Sequence, residues 1–172
     1  MNKVNIYAFK EWLATLYFIE GVIAVNYKNL KEKLEPQVKK VVEGLGTELV
    51  DIDFIRHKGE MTVTVYIYKK DGLDIDLLTK ASEELNPIFD ATDELKEKYF
   101  LEVSTPGLDR PIKTDDDFRR NLEIKLEAVL KNKEKITGIL KEYDDETFTL
   151  EGEETKTIKR SDVKKLTQAI EF

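Results

Sequence analysis

The 172-residue chain contains no cysteine, one histidine (His57), one tryptophan and only four prolines. Without cysteine there is no disulfide frame, no thiolate zinc site and no thiol nucleophile. A single imidazole rules out clusters of histidine ligands and leaves Ser104 without a base partner, so neither a metal centre nor nucleophilic catalysis has support. His57 sits among charged residues in a predicted hairpin and reads as an exposed loop residue. Long apolar runs are also missing. The longest, Trp12 to Ile19, is ended by Glu20, well short of the roughly 20 residues that span a bilayer. Glu11 and Glu20 also flank that run too acidically for a signal peptide. No Walker or Rossmann glycine pattern occurs, and Asp71, Gly72, Asp74 and Asp76 lack the spacing and terminal glutamate of a calcium loop. They read as a turn followed by a helix cap. Thirty-five carboxylates bring some pairs close without indicating a hydrolase. The expectation is a non-catalytic protein with no cofactor, metal or membrane partner.

Charge is abundant. Charged residues make up 37% of the chain and hydrophobic residues 41%, with 28 Lys+Arg against 35 Asp+Glu and a net charge of −7. That hydrophobic fraction is enough for a core. An acidic chain is poorly suited to coating bare nucleic acid and well suited to a basic partner. The imbalance is uneven: residues 25–103 hold 12 basic and 17 acidic side chains, residues 104–172 hold 14 and 16. The first part is the better candidate to meet a basic protein.

The apolar pattern divides the chain. Leu30, Leu34, Val38, Val41, Val42 and Leu45 fall at helical spacing, with Gly44 and Gly46 as the stop and Pro36 predicting a late start or a kink. Two alternating strands follow, over 49–55 and 61–68, joined by a hairpin at 57–60. A second helix runs from Asp76 through Phe89, with Asp74 or Asp76 as cap and Pro87 as a predicted stop. Residues 99–103 form a third strand. The fold class is α+β: residues 29–105 make an α-β-β-α-β domain with its helices on one face of the sheet, and residues 106–113 a stiff linker. In that linker Pro106-Gly107 fits the centre of a type II turn. Residues 114–172 open on a short helix capped at Thr114 and continue as short strands with closely spaced turns, the pattern of a small barrel. Residues 1–28 read as an N-terminal extension. Glu20-Gly21-Val22-Ile23 can be encoded by a purine-rich stretch resembling a ribosome-binding sequence, which makes Val25 a candidate initiator and residues 1–24 a mis-assigned start.

Two basic clusters stand out in the last domain. Lys156, Lys159, Arg160, Lys164 and Lys165 are opposed only by Asp162, and Lys131, Lys133 and Lys135 gather at a hairpin tip. Contact with rRNA phosphates is the functional reading of either set, and the first is the stronger candidate; ordinary solvated charge is the plainer reading of both. Neither is interleaved with aromatics, so base stacking is not indicated.

The run Tyr99-Phe100-Leu101-Glu102-Val103-Ser104-Thr105-Pro106-Gly107-Leu108-Asp109-Arg110-Pro111 resembles the signature of the ribosome maturation factor RimP family. The likeness extends to Gly44-Leu45-Gly46-Thr47-Glu48-Leu49-Val50-Asp51 and to the Asp71-Gly72 turn, and covers about residues 29–172. Thr105 stands where serine is common. The resemblance implies an α/β domain followed by an Sm-like barrel, in a cytoplasmic, monomeric factor. Such a factor binds the immature small ribosomal subunit and its rRNA and associates with a basic ribosomal protein. The interdomain motif Pro106, Gly107, Leu108, Asp109, Arg110 and Pro111 is expected to fix domain orientation. The alternative from another class is a general Sm-like RNA-binding regulator.

Overall fold

The computed structural model describes residues 27–57, 60–95 and 98–169. The proposed start at Val25 and the extension before Tyr27 lie outside them, as does the side chain of His57. The described chain divides into two compact units, the first running to Ile67 and over Leu73–Ser104, the second taking Tyr68–Gly72 and the chain from Thr105 on.

The first unit opens with α1 (Tyr27–Gly44), which buries Leu30, Leu34, Val38 and Val42 along one stripe. Its end is a Schellman arrangement. The Gly46 N–H donates to the Glu43 carbonyl and the Thr47 N–H to that of Val42. Gly46 takes the positive φ of 73° that this closure requires. Strand β1 (Glu48–His57) and strand β2 (Glu60–Tyr68) come next. The strands continue to residues 57 and 60, so the connection is shorter than the four-residue hairpin expected from the sequence. Helix α2 (Ile75–Asp90) is capped by Asp74, whose carboxylate accepts the Leu77 N–H at 2.7 Å. Strand β3 (Tyr99–Ser104) then pairs in parallel with β2, so β2-α2-β3 is a crossover unit and the sheet order is β1-β2-β3. Met61, Val63, Val65 and Ile67 of β2 alternate into the core against Ala81, Leu85 and Phe89 of α2. The mixed helix-and-sheet class and the α-β-β-α-β order agree with the reading from sequence.

Neither the late start expected at Pro36 nor the stop expected at Pro87 is seen. Helix α1 starts well before Pro36 and continues past it, and α2 continues past Pro87 to Asp90. Each proline is exposed, so the carbonyl it leaves unbonded one turn earlier is open to water and the ring meets no packed neighbour.

The second unit begins with α3 (Asp115–Arg120), fixed by a reciprocal capping box. The Thr114 hydroxyl accepts the Asp117 N–H, and the Asp117 carboxylate accepts the Thr114 N–H. Asp117 also takes the Lys113 N–H and the Arg120 guanidinium. Burial pulls its acidity toward the neutral form, yet these donors prevail and hold its carboxyl below the usual range. A depressed folded-state pKa contributes stability above the unfolded carboxylate value and loses it as pH falls through the folded one. Asp117→Ala should therefore cost about 1–2 kcal/mol near neutrality, and the cost should fade in acid below about pH 4, as the carboxylate of the unfolded reference protonates. Urea titrations of both proteins at pH 7 and pH 3 would check it, and an equal cost at both pH values would refute it.

The rest is sheet: β4 (Lys125–Leu130), β5 (Lys135–Tyr143), β6 (Thr147–Glu151), β7 (Thr155–Lys159) and β8 (Val163–Gln168). Neighbouring strands run antiparallel, in the order β7-β6-β5-β4-β8. In a flat sheet, four strand spacings would separate the edges by about 19 Å. The 3₁₀ turn Arg160–Asp162 alone carries the chain from β7 to β8, and an extended link of that length reaches at most about 14 Å. The sheet therefore curls. Its hydrogen bonding stops at β7 and β8, so it is an open curled sheet where the sequence pattern suggested a closed barrel. Leu126, Ala128, Leu140, Phe148, Leu150, Ile158 and Leu166 fill its concave side, and Phe118 of α3 joins them.

Candidate functional site

The motif after Ser104 turns one step later than expected. Gly107 does not take a positive φ, and the hydrogen bond runs from the Arg110 N–H to the Gly107 carbonyl at 3.0 Å. Leu108 and Asp109 thus occupy the turn's centre, rather than Pro106 and Gly107. A Cβ there would lie 2.7 Å from Asp109 Oδ1, the end of a side chain that can swing aside, so the position does not demand glycine. Leu108 is half exposed on the turn, Pro106 and Pro111 are partly buried, and the Ile112 N–H anchors the segment to the Leu166 carbonyl of β8.

The five cationic residues grouped by sequence are separated by the fold. Arg160 turns inward. Its Nη1 donates to Asp115 at 2.7 Å, and its Cζ lies 4.1 Å from the centroid of the Phe118 ring. The Nε and Nη2 atoms are buried without partners, so this guanidinium is a structural cation held over an aromatic face. Lys156 is engaged by Glu134 at 3.2 Å. Lys159 stands opposite Thr147 beside the β5–β6 turn, which carries Asp144, Asp145 and Glu146.

Lys164 and Lys165 are exposed and form no ion pair among the described residues. A β-bulge sets them there. Val129 faces Lys165 and Leu130 faces Val163, so Lys164 is the extra residue, and two consecutive lysines reach solvent. The Lys131 N–H donates to the Asp162 carbonyl at 2.8 Å, which brings the β4–β5 hairpin to the start of β8. The two clusters read separately in the sequence therefore meet at one corner. Lys135 is drawn away by Glu127 at 3.3 Å.

Other charged groups are structural. Glu134 is held below its usual range chiefly by the Lys156 ammonium, and Asp144 by the backbone N–H groups of Glu146 and Thr147. Lys31 pairs with Asp51 and Lys33 with Glu94 in the first unit. Among the described residues no three carboxylates or imidazoles gather into a metal-holding group, and no helix is long and apolar enough to cross a membrane.

Residues 37–109 match the family model of the RimP N-terminal domain. The matched stretch begins inside α1 and contains the whole three-stranded sheet, helix α2 and the turn centred on Leu108 and Asp109. Residues 37–109 thus carry a RimP N-terminal domain, from the family tied to ribosome maturation.

Proposed function

We propose that this chain is a non-catalytic factor that binds the immature small ribosomal subunit and assists its assembly in the cytoplasm, acting as a monomer through a basic ribosomal protein. The observation that carries the reading is the RimP N-terminal domain over residues 37–109. The acidic excess of residues 25–103 supports it, because complementary charge steers a basic partner toward that part of the chain and raises the rate of encounter. The second unit, with its curled five-stranded sheet, is taken as Sm-like, and it is the part suited to contact rRNA. An assembly factor must leave when its task is finished, so it needs higher affinity for the incomplete subunit than for the finished one.

Co-sedimentation at moderate salt, with free small subunits, assembled ribosomes and naked rRNA in parallel, tests the proposal. Pelleting with free subunits and not with assembled ribosomes is the expected result. Equal retention by naked rRNA would replace it with the general RNA-binding reading.

A further inference from the structure

We infer that Lys131, Lys133, Lys164 and Lys165 form a single phosphate-binding corner that grips the backbone of folded RNA. For the identity of that RNA the inference rests on the ribosome-maturation reading; for the surface itself it rests on the fold. The four ammonium groups come from two segments, the β4–β5 hairpin and the start of β8, joined by the Lys131–Asp162 backbone bond and by the facing pairs Val129–Lys165 and Leu130–Val163. All four are exposed, and none has an ion-pair partner among the described residues.

Their neighbours behave differently. Lys135, Lys141 and Lys156 are each matched to a glutamate: Glu127, then Glu123 with Glu151, then Glu134. On a unit with more acidic than basic residues, unpaired cations converging on one corner stand out against that pairing. Clustered cations with mobile heads suit a polyphosphate, whose bound counterions they displace.

The same corner indicates what is not read. The facing residues are Val129, Leu130 and Val163, so there is no aromatic platform for a base, and the one amide of the hairpin tip, Asn132, is turned to Glu134, whose N–H its Oδ1 accepts at 2.9 Å. The contact is with backbone, independent of sequence, and it would position the factor rather than select the site. Arg160 is excluded from it, being held against Phe118 and Asp115.

The test is the salt dependence of binding to free small subunits, and in a second arm to a folded fragment of small-subunit rRNA at low salt. Three proteins are compared: the unaltered chain, Lys131→Gln/Lys133→Gln/Lys164→Gln/Lys165→Gln, and the control Lys135→Gln/Lys156→Gln. Each phosphate contact contributes about 0.7–0.9 to the slope of log K against log salt. The fourfold variant should therefore be shallower by about 3, and the control should match the unaltered chain. Circular dichroism confirms that each variant keeps its sheet.

An unchanged slope in the fourfold variant overturns the inference, as does an equal loss in the control, which would mark a general charge effect. A photocrosslinker at position 131 or 165 in the subunit-bound protein should label RNA; labelling of protein alone would also overturn it. If the unaltered chain binds RNA through these lysines but ignores free subunits, the maturation reading fails and the corner stands. If it binds neither, the corner fails too.

Discussion

Replacing Phe118 with alanine is expected to destabilise the second unit by about 3–5 kcal/mol, the range for truncating a buried aromatic side chain. Phe118 is 2% exposed and meets Tyr143 and Phe148 with ring centroids 5.4 Å away in both cases. It supplies the side chain by which α3 joins the concave side of the curled sheet. It is also the platform under Arg160. Two guanidinium nitrogens there have no hydrogen-bond partner, and without that ring face the cation would keep only Asp115 and the more distant Tyr143 ring, 5.9 Å from its Cζ, in compensation. The loss should therefore exceed that of a purely aliphatic truncation at similar burial. Hydrogen exchange reads it by unit: amides of β4, β5 and β6 should exchange faster, and those of α1 and β2 should keep their protection. Uniform acceleration, or none, would contradict this account.

The second large effect is expected at the glycines of the curl. A Cβ on Gly138 would lie 2.9 Å from both the backbone carbon and the oxygen of Glu151, and one on Gly152 would lie 2.6 Å from the Thr137 carbonyl oxygen. These are backbone atoms of paired strands and cannot swing aside, so β5 and β6 would have to part. Gly138→Ala and Gly152→Ala should each cost about 1–3 kcal/mol, as overpacking does. Because each glycine crowds the same crossing, the double variant should cost less than the sum. Gly44, where an added Cβ would meet nothing within 4 Å, is the control: its alanine variant should be neutral or slightly stabilising in the helix. Thermal unfolding of the four proteins tests the set, and a Gly138→Ala variant as stable as Gly44→Ala would dispose of the argument.

Much of the first unit was legible from side-chain periodicity, because its elements each bury one face on a single core. Leu30, Leu34, Val38 and Val42 recur at helical spacing, and Met61, Val63, Val65 and Ile67 at strand spacing. A period reports which face is buried, but not whether a proline will be tolerated. That depends on where the ring points, and both Pro36 and Pro87 point to solvent. The capping of α3 by Thr114 was equally legible, since the hydroxyl and the carboxylate that form the box are three residues apart in the chain.

Features that depend on residues far apart in sequence were not. A local pattern placed Gly107 at the centre of a type II turn, whereas the turn closes from the Arg110 N–H onto the Gly107 carbonyl and leaves Gly107 at its first position. Turns at short intervals indicated a small all-β unit, but whether its edges pair is a matter of hydrogen bonding across a seam, and β7 and β8 leave that seam open. The candidate site shows the divide most sharply. Along the chain, Lys156, Lys159, Arg160, Lys164 and Lys165 form one basic run. In the fold, Arg160 is paired with Asp115, 45 residues away, and Lys156 with Glu134, 22 away. Lys164 and Lys165 meet instead the lysines of a hairpin that the sequence kept apart. Composition, periodicity, caps and the family signature are carried by residues near one another in the chain, and the sequence alone determined them. Which cations are neutralised and which remain available to a partner is decided by Coulomb interactions and strand register between distant segments, and only the tertiary structure set that.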